Sequence, residues 1–136
     1  MKVFISYSHK DEALARQVVM FLENAGLNAW YDKREIMPGD NWAEKVAEGL
    51  KECDAMVVLL SPDALESDHV RWDISYALGE KAYSRRLVTV LVGDPQEFSK
   101  DGFPWILRRL KVVPLPERDN NEDGLRQIAQ ALKEVA

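Results

Sequence analysis

The chain has 136 residues, a hydrophobic share of 46%, a charged share of 30% and a formal net charge of −5. That size reads as one domain with room for a core, and the acidic balance argues against a non-specific nucleic-acid binder, which needs a basic face. One cysteine, Cys53, can form no internal disulfide, and no Cys/His cluster has the spacing of a zinc site.

In chain order, the first element is a strand, "VFISY" (3–7), reached without the apolar leader of a signal peptide. Next, "DEALARQVVMFLENAG" carries Leu14, Val18, Phe21 and Leu22 on one helical stripe, with acids in its first turn and Gly26 as its stop. A second strand, "LNAWY" (27–31), opens a connection of about nine residues, Asp32 to Asp40, longer than most strand-to-helix loops. "NWAEKVAEGLKEC" reads as a helix capped by Asp40 or Asn41, with Cys53 at its end against the core. "AMVVLLS" (55–61) and, further on, "LVTVLV" (87–92) are continuously apolar, as strands buried on both faces are. Between them "HVRWDISYAL" belongs to a helix expected over about 70–84, with Val70, Ile74, Ala77 and Leu78 inward, Asp73 at the stripe's edge and Trp72 outward. A short helix near "PWILRRL", a fifth strand "KVVPL" (111–115) and a final helix with Leu125, Ile128, Ala129 and Leu132 on one side complete the chain. Arg85, Arg86, Arg108 and Arg109 read as solvated helix ends. The final segment stops while still in a helical pattern, as one module of a longer protein would. No run approaches the ~18 apolar residues of a membrane span, and the default compartment is the cytoplasm.

Alternating strands and helices imply a three-layer α/β/α domain on a five-stranded parallel sheet, with flavodoxin-like order 2-1-3-4-5. Ligands of such sheets bind beyond the carboxyl ends of strands 1 and 3, where the order reverses. That rule selects the loop after strand 1 (Ser6, Tyr7, Ser8, His9, Lys10, Asp11), the loop after strand 2, and the helix carrying Asp73. A phosphoacceptor receiver is excluded, because strand 1 ends in Ser-Tyr-Ser and strand 3 in Leu-Leu-Ser where its carboxylates are needed. Glycine-rich phosphate cradles of the GxGxxG or GxxxxGK type are absent.

Four ordered segments, "FISYSHKDE" (4–12), "AWYDKREIMPGDNW" (29–42), "VVLLSPDALES" (57–67) and "GFPWIL" (102–107), resemble the boxes of TIR (Toll/interleukin-1 receptor) domains. The resemblance spans essentially the whole chain, residues 1–136 as a single TIR domain of bacterial type. It implies a signalling or immune module that pairs with other TIR domains, and in one branch of the family cleaves NAD⁺ at the nicotinamide–ribose bond, with or without cyclising the product. NAD⁺ would be a substrate; no cofactor and no metal is implied. The enzymatic branch carries a glutamate in the pattern Trp-x-x-x-Glu-[Ile/Leu]-x-x-Ala-Leu, onto which "DISYAL" places Asp73, with His69 where the tryptophan stands. The carboxylate is kept but is one methylene shorter. The resemblance further implies NAD⁺ contacts from Ser6, Tyr7, Ser8, His9, Lys10, Asp32 and His69. It implies TIR–TIR contacts from Asp32, Lys33, Pro38, Gly39 and Trp72. Each has a plainer alternative: Asp73 as a first-turn helix acid, Ser8 as a helix cap, His69 as a surface residue, and the Asp32–Asp40 segment as a solvated connection. Trp30, Trp42 and Trp105 read as structural.

Overall fold

The computed structural model describes residues 1–79, 86–93, 111–116 and 121–135. The expected helix near "PWILRRL", Trp105, Arg85, Arg108, Arg109 and the segment 102–107 lie outside the described residues.

Five strands form one all-parallel sheet in the order β2-β1-β3-β4-β5: β1 (Lys2–Ser6), β2 (Asn28–Trp30), β3 (Ala55–Leu60), β4 (Leu87–Val92) and β5 (Lys111–Leu115). This is the topology expected from the alternating pattern. All six residues of β3 are buried, which is why that strand reads as an unbroken apolar run. Pro114, which cannot donate to a ladder, is tolerated because β5 is an edge strand.

Side chains alternate across the sheet and divide the core in two. On one face Val3, Ile5, Val57 and Val90 pack against α1 (Glu12–Asn24) and α6 (Glu122–Val135). On the other Phe4, Met56, Val58 and Leu60 pack with residues of α3 (Trp42–Glu52), α4 (Pro62–Leu65) and α5 (Asp68–Gly79). Trp30 belongs to that second core, stacked on Phe4 at 4.8 Å between ring centroids. Gly49 of α3 lies flat against it: a Cβ there would fall 2.3 Å from the indole.

The local stops follow the sequence signals. Gly26 ends the α1 turn with φ +89°, and Asn41 caps α3 by accepting from the Glu44 amide at 3.1 Å. Cys53 closes α3 and is buried, which pushes its thiol up to about 12. The connection after β2 is not simply a loop. Asp32–Glu35 wind into the single-turn α2, and Met37–Asp40 then close a turn in which the Asp40 amide donates to the Met37 carbonyl at 3.0 Å. Pro38 and Gly39, the latter at φ +92°, are the residues a type II turn demands.

Candidate functional site

The carboxyl ends of β1 and β3 and the start of α5 meet at the switch point. β1 delivers Ser6 pointing to the α5 side of the sheet, because it is two residues on from Phe4. Its hydroxyl donates to Asp73 Oδ2 at 2.8 Å. Asp73 is 6% exposed, so it lies in the buried layer and not at the edge of the stripe, where the helical periodicity puts it. The first-turn alternative also fails, because α5 begins at Asp68, which is the acid of that turn, and Asp73 sits in the second. Its burial therefore has no helix-end compensation. Burial pushes its carboxyl up to about 6; the Ser6 hydrogen bond and the neighbouring His69 pull it back, and the charge of Asp32 adds to the rise.

A second hydroxyl–carboxylate pair stands beside the first. Tyr7 donates its phenol to Asp32 Oδ1 at 2.5 Å, and burial with that bond holds the phenol well above its ordinary value. The pair joins the end of β1 to the first residue of α2. His69 is half-buried and not a free surface residue. Its Nε2 lies 3.1 Å from the Tyr7 carbonyl, which makes Nε2 the protonated nitrogen, and Nδ1 faces the Ser67 hydroxyl at 3.1 Å. The Trp42 and His69 rings meet in a T-shaped contact at 5.7 Å between centroids.

These groups enclose a small pocket bounded by Phe4, Ser6, Tyr7, Asp32, Trp42, His69 and Asp73. At about 20 Å³ it has room for a water but not a sugar. Outside it a cleft of about 360 Å³ runs between α3 and α5, lined by Trp42, Val46, Leu50, Trp72 and Tyr76, with His69 and Asp73 at its inner end.

Of the residues implied as NAD⁺ contacts, Ser6, Tyr7, Asp32 and His69 come together here with Asp73, the candidate catalytic carboxylate. His9 is exposed at the rim, its ring 5.3 Å from that of His69. Ser8 and Lys10 are not brought in. Ser8 accepts from the Lys10 amide at 3.4 Å and so takes the capping role, while Lys10 Nζ reaches outward to Asp63 at 3.5 Å. Lys33, Pro38 and Gly39 are exposed on the α2 segment, and Trp72 is 74% exposed on the outer face of α5. The reading of Trp42 as structural is corrected: it is 42% exposed and borders both cavities. Its position, first in the helix that follows the switch-point loop, was the available signal. A further buried tie was not foreseen: Ser61, leaving β3, donates to Asp11 Oδ2 at 2.5 Å and caps α4 by accepting from Ala64.

Fold and site together define a flavodoxin-like α/β domain with a buried carboxylate facing a cleft at the switch point. The family model for the TIR domain matches residues 3–129, and the chain belongs to that family. The 2′ cyclic ADP-D-ribose synthase AbTIR of Acinetobacter baumannii is 25% identical over 87 residues, covering 63% of this chain and 32% of its own length. Among solved structures, a metazoan TIR-STING receptor from C. gigas in complex with 2′,3′-cGAMP superposes with a TM-score of 0.78 at 25% identity, over 96% of this chain and 38% of that one. The TIR domain of a Toll-related receptor from Hydra magnipapillata superposes with a TM-score of 0.72 at 18% identity, over 96% and 97%. The chain spans about a third or less of the length of the curated relatives it matches. Among the described residues, no helix is long and apolar enough to cross a membrane.

Proposed function

We propose that this domain cleaves NAD⁺ at the nicotinamide–ribose bond, with Asp73 as the carboxylate beneath the ribose, inside a cytoplasmic module that self-associates. The observation that carries the proposal is Asp73 itself: a carboxylate 6% exposed, held by Ser6 and opening onto a cleft of about 360 Å³. A buried acid with a raised pKa, in a cleft at a switch point, is costly to keep and points to a site. The matching 2′ cyclic ADP-D-ribose synthases support the same chemistry.

Nicotinamide leaves as a neutral base, taking the electron pair of the C1′–N bond, so no strong acid is needed. Positive charge then develops on the ribose, as in glycoside hydrolysis, and an ionised carboxylate in a poorly solvated wall stabilises it. The inner pocket of about 20 Å³ cannot take the ribose as it stands. Parting of the Tyr7–Asp32 pair with an outward swing of the α2 segment would open it, a gating role for that segment. Aspartate reaches about 1.5 Å less far than glutamate, so the sugar must sit that much nearer to α5 than it would over a glutamate.

A second reading, a TIR–TIR scaffold without turnover, draws on the exposed Trp72 (74%) and Met37 (58%), since aromatic and methionine side chains are common interface anchors. One assay separates the two. Concentrated protein is incubated with NAD⁺ and free nicotinamide is measured for the wild type, Asp73→Ala and Asp73→Glu. The enzyme reading predicts release by the wild type, loss in Asp73→Ala, and release kept or raised in Asp73→Glu. No release from the wild type would leave the scaffold.

A further inference from the structure

The chain has two histidines, and the fold brings them together. His9 opens the 3-10 turn that follows β1, and His69 is the second residue of α5. Their rings stand 5.3 Å apart between centroids, tilted by 49°. Two imidazoles on one tetrahedral metal ion, each nitrogen about 2.0–2.1 Å from it, have ring centroids roughly 5 Å apart. A shared ion therefore needs rotation of the rings and no approach of the two backbone segments. The surroundings suit ligation. His69 Nε2 lies 3.1 Å from the Tyr7 carbonyl, the outer hydrogen bond that metal-ligating histidines usually make. With the proton on Nε2, Nδ1 offers a lone pair, and its partner at 3.1 Å is the Ser67 hydroxyl, a neutral group that can turn aside. The exposed His9 ring can rotate, while the turn beneath it is fixed by the buried bond from Ser61 to Asp11.

We infer that His9 and His69 form a two-histidine site for a divalent cation of the zinc, copper or nickel class, at the mouth of the inner pocket. Among the described residues no group of three or more His, Cys, Asp or Glu is gathered to hold a metal, so the two imidazoles supply the protein's ligands and water completes the shell. Such a nitrogen pair selects late first-row metals over calcium and magnesium, which prefer oxygen. The bound ion ties the turn after β1 to the start of α5. Its consequence for turnover rests on the proposed reaction. His69 and Asp73 line the same inner pocket, so an ion on His69 offsets the negative charge that the sugar requires and narrows the entrance. The metal is then an inhibitor of the site and not its cofactor.

The test is calorimetric titration of the full chain with zinc chloride, beside His9→Ala, Ser67→Ala and a titration with calcium chloride. The inference predicts a single zinc per chain, binding weakened by about tenfold or more in His9→Ala, affinity kept or raised in Ser67→Ala, and no calcium bound. His9 is exposed, so its replacement leaves the core intact. No zinc bound at millimolar concentration, zinc bound equally well by His9→Ala, or calcium bound as well as zinc overturns the site. In the NAD⁺ assay, saturating zinc should abolish nicotinamide release by the wild type and leave His9→Ala at its own zinc-free rate. A wild-type rate unchanged by saturating zinc overturns the inhibition. Zinc held through His9 in a protein that releases no nicotinamide leaves the metal site standing and overturns the cleavage reaction.

Discussion

Replacing Asp73 by asparagine should make the protein more stable and less useful. The side chain is 6% exposed, and its carboxyl is lifted from 3.8 to about 6, chiefly by burial. Between about pH 4 and pH 6 the folded chain therefore holds a proton that the unfolded chain has released, so stability falls as pH rises through that window and levels off above it. The two values differ by about two pH units, and at 1.36 kcal/mol per unit the folded chain at neutral pH carries a penalty on the order of 3 kcal/mol for keeping Asp73 ionised. Asparagine has nearly the same shape, can accept from Ser6 Oγ, and carries no charge. In urea or thermal unfolding at pH 7.5, Asp73→Asn should gain on the order of 2–3 kcal/mol, roughly 6–12 °C in Tm for a domain of this size. At pH 4 the gain should shrink towards zero. Equal stability of the two proteins at pH 7.5, or a difference independent of pH, would refute the burial argument.

The same carboxyl should set the pH dependence of the proposed reaction. If the ionised form acts, kcat/KM for NAD⁺ should fall about tenfold per pH unit below about pH 6 and be flat above about pH 7; a flat profile from pH 5 to 8 would remove Asp73 from the chemistry. Ser6→Ala takes away the hydrogen bond that favours ionisation, so the inflection should move to higher pH, as a pH–rate profile of that variant would read. Gly49→Ala places a methyl 2.3 Å from the Trp30 ring, itself stacked on Phe4, and should cost on the order of 1–3 kcal/mol by chemical unfolding. Gly39→Ala strains a φ of +92° in the turn after α2. If that segment carries TIR–TIR contacts, concentration-dependent association by light scattering should weaken in this variant while the isolated domain stays folded.

Much of the fold was legible because long-range order here follows from local pattern. An uninterrupted apolar run, 55–60, and a second broken only by Thr89, 87–92, identify the central strands, and strict alternation with amphipathic helices leaves few topologies. The switch-point rule points to the same strand ends at which the structure places the candidate pocket. What the sequence could not carry was depth and partnership. Helical periodicity puts Asp73 at the edge of its stripe because it treats α5 as an isolated cylinder, whereas residues of β1 and Trp42 surround that edge. The pairs Ser6–Asp73, Tyr7–Asp32 and Asp11–Ser61 join residues 67, 25 and 50 positions apart, and no periodicity encodes such distances. α2 was missed because "DKRE" is too short for a hydrophobic stripe, and Lys10 was drawn into the site by its place after β1 although its amine reaches Asp63.

The central claim is that the buried carboxylate acts on the sugar of NAD⁺. The most direct measurement is nicotinamide released from NAD⁺ at pH 7.5 by concentrated wild-type protein and by the better-folded Asp73→Asn variant, side by side. The account predicts release by the wild type and at least a hundredfold less by the variant, on the order of what one lost transition-state electrostatic contact costs. Equal release by the two proteins, or none by either, would contradict it.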